Sequence, residues 1–173
     1  MLELCYNMVK KKQVAIGNDQ CNYNGAVVLG LNDALVELSG ALVGLSFALS
    51  NSKTIATVGL ITGFAASLSM AASEYLSAKE DNNKKPIKAA AYTGLAYILA
   101  VIALVIPYFI FQNAYIAAAV MFGLVILIIA GYTGYVSSKQ KISFKKKFFT
   151  MLAITLGVSV ISFVFGSLVK NWV

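Results

Sequence analysis

The chain has 173 residues, of which 59% are hydrophobic and only 12% are charged, and its mean hydropathy is +0.77. A soluble domain carries about twice that charged share, so the composition excludes an ordinary soluble fold. The net charge is +7 at pH 7, and all the cations are lysines. Because these lysines flank apolar runs, we assign them to membrane topology and to anionic lipid headgroups, and we expect no nucleic-acid partner.

Residues 1–25 precede the first apolar run, and we predict that they form a cytoplasmic segment. Apolar side chains around Lys10–Lys12 allow a short interfacial helix, with disorder as the alternative. The segment lacks the compact apolar core of a signal peptide. Cys5 and Cys21 both lie in it, and the chain has no histidine. Because zinc-type spacing is absent, we interpret the two cysteines as reduced thiols.

Residues 26–173 are predicted to form a single all-α domain of five transmembrane helices. Apolar runs long enough to cross a bilayer occupy residues 26–50, 54–78, 87–111, 115–136 and 148–169. The links between them alternate between short, nearly uncharged turns and lysine-rich loops. Lysine accumulates on the cytoplasmic side of membranes. We therefore predict that the N-terminus and both lysine-rich loops are cytoplasmic and that the C-terminus lies outside.

Three carboxylates interrupt the first two apolar runs. Asp33 and Glu37 lie in the first span and Glu74 lies in the second, and neither span contains a lysine. An ionisable group at membrane depth costs about 3 kcal/mol or more, so it is by default a candidate for function. These three acids must therefore be neutralised by protons, by a metal ion, or by both in turn.

The spacing of these acids predicts a metal site. Asp33 and Glu37 are four residues apart, so they project from one helix face, and Glu74 follows Met70 at the same spacing. Counted from the turn that joins the two spans, all four residues fall within about two helical turns of each other, in the cytoplasmic half of the membrane. Carboxylates combined with one thioether suit Fe(II) or Mn(II). We predict metal ligands at Asp33, Glu37, Met70 and Glu74.

Three of these residues also have a plain structural interpretation. Glu74 lies near the end of its span, from which its side chain could reach the headgroups. Met70 could be core packing, and Asp33 could cap a break in the helix. Glu37 is the least open to such an interpretation, because it lies deeper in its span and far from a polar end.

Pairs of glycines recur at the spacing typical of helix contacts in membranes. Gly40 and Gly44 form such a pair in the first span, and Gly59 and Gly63 form one in the second. Small residues at this spacing let two helix backbones approach closely. We therefore predict tight packing between the first and second spans.

The stretches GLNDALVELSGALVGL (residues 30–45) and GFAASLSMAASEYLSAKED (residues 63–81) resemble the vacuolar iron transporter family, whose members are five-span exchangers of divalent metal for protons. The run Ser-Met-Ala-Ala-x-Glu-Tyr is the most specific part of this resemblance. The resemblance implies that Asp33 and Met70 line the metal path, and that Glu74 corresponds to the glutamate of the family's Glu-Tyr pair. The resemblance is strong over the first two spans. Beyond them, the chain resembles the family only in the number and order of its spans.

Two features depart from the family pattern. Many members insert a glutamate-rich cytoplasmic metal-binding domain between the second and third spans, whereas residues 79–86 form only a short link here, as in the nodulin-like branch. Glu37 also stands where many members have no acid. The resemblance further implies a homodimer whose conduction path lies between the two first spans, so that six carboxylates surround one axis.

We expect a proton-coupled transporter that exports Fe²⁺ from the cytoplasm across the plasma membrane of a prokaryote, with Mn²⁺ as a second candidate cargo. Protons are the coupling ion, and no cofactor is permanently bound. Two alternatives remain open: a broad divalent-cation or Mn²⁺ carrier, and a non-transporting membrane scaffold whose acids pair with the lysines of a partner. We expect no enzymatic activity, since a chain without histidine cannot form a Ser/His dyad.

Overall fold

The computed structural model describes residues 23–49, 51–81, 85–140 and 143–172. The predicted interfacial helix and both cysteines lie outside these residues. The described helices are Tyr23–Asp33, Ala34–Leu38 and Ser39–Ala48, which together form the first span, followed by Ser52–Glu80, Pro86–Ile110, Ala114–Gln140 and Phe144–Trp172 as the second to fifth spans. Each span is long and apolar enough to cross a membrane, and no strand occurs among the described residues. The prediction of an all-α membrane protein with five spans is confirmed.

The chain enters and leaves its helices at residues suited to those positions. Asn51 caps the second span, because its side-chain oxygen accepts hydrogen bonds from the backbone N–H groups of Lys53 at 2.9 Å and Thr54 at 3.3 Å. Pro86 begins the third span, where a missing N–H is harmless. The sidedness of the bundle stays a prediction; we call the end that carries the lysine-rich loops the inner end and the opposite end the outer end.

The third span holds much of the core together. It packs extensively against the second span and along the inner half of the first, and the outer half of the first span packs against the fifth. The side chains that face inward from the third span are fully buried, and they include Tyr97, Val101, Leu104 and Tyr108. They meet Leu35 and Leu42 of the first span in one contiguous apolar cluster.

Hydroxyl groups fix the register of the first three spans. The Thr93 hydroxyl donates to the Ala26 carbonyl at 3.1 Å, which ties the third span to the inner end of the first. Near the outer end, the hydroxyls of Ser46 and Tyr108 lie 2.9 Å apart, and the Ser52 hydroxyl donates to the Tyr108 carbonyl at 2.8 Å. Without water in the bilayer core, such buried polar groups need partners in the protein. These contacts set the heights at which the acids of the first span lie beside the third span.

The glycine pairs do pack helices closely, but mostly against other partners than we predict. A Cβ atom at Gly44 would lie 2.9 Å from the Ser162 carbonyl oxygen of the fifth span, and one at Gly63 would lie 2.5 Å from the Val101 side chain of the third span. Only Gly59 makes room for a residue of the first span, the Leu42 side chain. The first and second spans touch only lightly. The predicted tight packing of these two spans is therefore wrong, because the motif specifies a close approach and not the helix that approaches.

Candidate metal site

The first span changes its helical form at its acidic residues. Between Ala34 and Leu38 the backbone forms a π-helical turn, with Asp33 directly before it and Glu37 inside it. Such turns are wider than an α-helical turn and occur frequently at functional sites. Asp33 has ordinary helical dihedral angles, φ −63° and ψ −47°, and its side chain makes no capping hydrogen bond. The interpretation of Asp33 as a helix cap is therefore excluded.

The structure brings Asp33 and Glu37 together. Asp33 is half-buried, and its carboxyl group lies near that of Glu37, one turn along the same span. Two neighbouring carboxyl groups repel each other when both are ionised, unless one of them carries a proton or a cation lies between them. The pair is therefore suited to exchange a proton for a cation.

Tyr97 is a further part of this site. Its hydroxyl donates to Glu37 Oε2 at 3.0 Å, from the third span, and the tyrosine side chain is 0% exposed. Sequence reasoning missed this residue, because a tyrosine in an apolar run looks like core. The available signal was its position halfway along a span, since tyrosines of membrane proteins concentrate at the two interfaces.

Glu37 also lines an open groove on the surface of the protomer, with a volume of about 630 Å³. The groove runs between the first, second and fifth spans. Glu37 and Tyr97 supply polar groups toward its inner end, and the residues farther out on the first span are apolar, namely Ala41, Gly44, Leu45 and Ala48. Thr62 and Ser162 are the other polar residues that line it, and no lysine of the described part of the chain does. A carboxylate is thus placed at the inner end of a mostly apolar groove.

Met70 and Glu74 lie on the second span, inward of this groove. Ala66 lines the groove, and the two residues follow it at steps of four on the same helix face. Met70 is half-buried and packs against the core cluster, a contact that also fits the packing interpretation. Glu74 is half-buried, six residues before the end of the helix at Glu80. Both residues therefore extend the groove face toward the inner end.

Within one protomer the acids form a pair and not a larger cluster. Among the residues that the structure describes, no group of three or more histidine, cysteine, aspartate or glutamate side chains could hold a metal ion. Glu74 therefore does not complete a three-acid cluster with Asp33 and Glu37 in the single chain. The assignment of these residues and Met70 as ligands stays a prediction.

The fold and the acid pair define an integral membrane protein with an ionisable site in the middle of its first span. A family model described as the VIT family matches residues 24–84, which hold the first and second spans. The match supports the resemblance seen in the sequence and, over these two spans, supports membership of the vacuolar iron transporter family. This membership suggests a metal-ion transporter and not an enzyme. No curated protein matches the chain.

Proposed function

We propose that this protein is a proton-coupled transporter that exports Fe²⁺ from the cytoplasm, with Mn²⁺ as the second candidate cargo. The family supports metal transport in general. The observation that carries the finer proposal is the Asp33–Glu37 pair at a π-helical turn, beside an open groove that no lysine among the described residues lines. An acid pair with no lysine partner among the described residues can remain in a membrane if it holds a proton or binds a metal ion.

The proposed path begins at the inner end of the second span. Glu74 receives the hydrated ion there, and Met70 offers a thioether one helical turn farther along the same face. Asp33 and Glu37 then bind the ion and lose the proton that they share. Protons that arrive from the outer side displace the metal, so the proton gradient across a prokaryotic plasma membrane drives export.

The proposal includes a homodimer. Glu37 lies near the middle of Gly25–Ala48, and its side chain is exposed on the surface of the protomer. A carboxylate at this depth is poorly tolerated against lipid. A second copy that covers the groove would remove this exposure, and a twofold axis beside the first spans would place two acid pairs opposite each other. The two protomers together would then supply the ligands that one chain lacks.

Reconstituted proteoliposomes test the transport activity and its coupling. With Fe²⁺ outside and an acidic lumen, we expect metal uptake that exceeds the uptake at equal pH and that raises the luminal pH. Uptake that ignores the pH gradient would contradict the proton coupling. Vesicles that take up neither Fe²⁺ nor Mn²⁺ would contradict transport and favour the scaffold alternative.

Competition between the two metals in the same vesicles tests the choice of cargo. Carboxylates bind both ions, and one thioether adds only a modest preference for the softer one. We expect Fe²⁺ uptake to be inhibited by Mn²⁺ only when Mn²⁺ is in excess. Equal inhibition at equal concentrations would instead support a broad divalent-cation carrier.

A further inference from the structure

We propose that Tyr97 is a positioning residue for metal binding, because it holds the Glu37 carboxylate in one orientation beside the groove. This inference rests on the proposed function. The phenol donates to Glu37 Oε2 at 3.0 Å, and Glu37 is the one predicted ligand that lines the groove itself. Tyr97 therefore acts through Glu37 and needs no contact with the ion.

The two partners differ in their freedom to move. Tyr97 is 0% exposed and belongs to the core between the first and third spans, so packing fixes its ring. Glu37 is exposed and has a long side chain, which alone would sample several rotamers. A hydrogen bond from the fixed phenol to one carboxylate oxygen removes much of that freedom. The other oxygen is then free to face Asp33 and the cargo.

The surroundings of Glu37 offer few other groups that could orient it. Asp33 interacts with it from the same span, but once both acids are ionised to bind metal, Asp33 repels Glu37 and does not orient it. The second and fifth spans contribute Thr62 and Ser162 to the groove lining, both neutral hydroxyl residues. Among the described residues, Tyr97 is thus the group from another span that makes a hydrogen bond to the acid pair. An ordered ligand loses less entropy on binding, so its orientation strengthens the binding of metal.

A structural role for the same hydrogen bond makes a different prediction. A buried phenol needs an acceptor, and Glu37 could serve merely to satisfy it. Tyr108 provides the matched case, because it lies on the same span, is also 0% exposed, and its hydroxyl lies 2.9 Å from that of Ser46. Removal of either hydroxyl disturbs a buried hydrogen bond, but only one of these bonds involves the predicted metal path.

The test compares Tyr97→Phe with Tyr108→Phe in proteoliposomes, with initial rates of Fe²⁺ uptake measured over a range of concentrations. We expect Tyr97→Phe to raise the KM about tenfold, the size expected for one hydrogen bond to a charged group, with a smaller change in the maximal rate. Tyr108→Phe should leave the KM unchanged. Equal KM values for the wild-type protein and Tyr97→Phe would overturn the inference.

A double-mutant cycle with Glu37→Gln separates positioning from a general loss of packing. Because Glu37 is itself a predicted ligand for transport, the readout here is equilibrium binding of Fe²⁺ to the purified protein. If Tyr97 acts through the carboxylate, Tyr97→Phe should change the apparent Kd less than about twofold in the Glu37→Gln background. Full additivity of the two substitutions would contradict the inference. The two proposals fail in distinguishable ways, because a wild-type protein without any metal uptake refutes the transport function itself, whereas an active wild type with an unaffected Tyr97→Phe variant refutes only the positioning role.

Discussion

Glu37 shows how much of the site depends on single side chains. Its carboxylate accepts a hydrogen bond from Tyr97 and lies near that of Asp33, at the inner end of a mostly apolar groove. The sequence predicted the acid pair, because an ionisable residue stands out in an apolar run. It could not predict the tyrosine as a partner, because the contact joins residues 60 positions apart, and no local pattern encodes it.

Met70 is the predicted ligand whose role is most open to a simple test. Met70→Leu keeps an apolar side chain of similar volume but removes the thioether. If the sulfur binds metal, we expect the apparent affinity for Fe²⁺ to fall about tenfold or more, whereas a packing role predicts little change. Fe²⁺ uptake by proteoliposomes measures this. Met121→Leu is the control, since Met121 is fully buried in the fourth span and should leave the affinity as it is.

The helices themselves were largely predictable, because an apolar run of the length of the bilayer has few other structures. The observed helix ends differ from the predicted ones where polar residues continue a helix. The fifth span begins at Phe144 and not at residue 148, because the three lysines before Phe148 form part of its first turn. The π-helical turn at Ala34–Leu38 and the partners of the glycines were not predictable, because both depend on which helix packs alongside.

Gly30 tests the packing of the first span against the third. A Cβ atom there would collide with the Thr93 carbonyl oxygen, whereas one at Gly25, on the same helix, would meet nothing within 4 Å. Alanine has the higher helix propensity, so Gly25→Ala should be neutral or stabilising. Gly30→Ala should cost about 1–3 kcal/mol by overpacking and lower the unfolding temperature in detergent by several degrees. A Gly30→Ala variant as stable as the wild type would show that the two helices do not meet as closely as described.

At the scale of the whole molecule, the exposed groove is the feature that one chain leaves incomplete. It leaves the Glu37 side chain exposed on the surface of the protomer, near the middle of the first span. The hydropathy of the sequence locates the spans. It does not indicate which face of a span contacts lipid and which contacts a second copy of the chain. The proposed dimer assigns the groove face of the first span to the interface.

Cysteine cross-linking tests this arrangement in the bilayer. Ala41 lies on the groove face one turn beyond Glu37, and a twofold axis at this face brings the two copies of residue 41 together. With Cys5 and Cys21 replaced by serine, Ala41→Cys should form a disulfide-linked dimer on mild oxidation. Leu127→Cys is the control, on an exposed position of the fourth span, and should stay monomeric on a denaturing gel. The reverse pattern would place the interface elsewhere.

The most direct measurement of the central claim is Fe²⁺ flux through proteoliposomes that contain Asp33→Asn. This substitution keeps the shape of the side chain and removes its charge, and Asp81→Asn makes the same change at an exposed helix end outside the site. If the acid pair of the first span carries the ion, Asp33→Asn abolishes the flux and Asp81→Asn retains it. Undiminished Fe²⁺ flux through the Asp33→Asn protein would contradict the account.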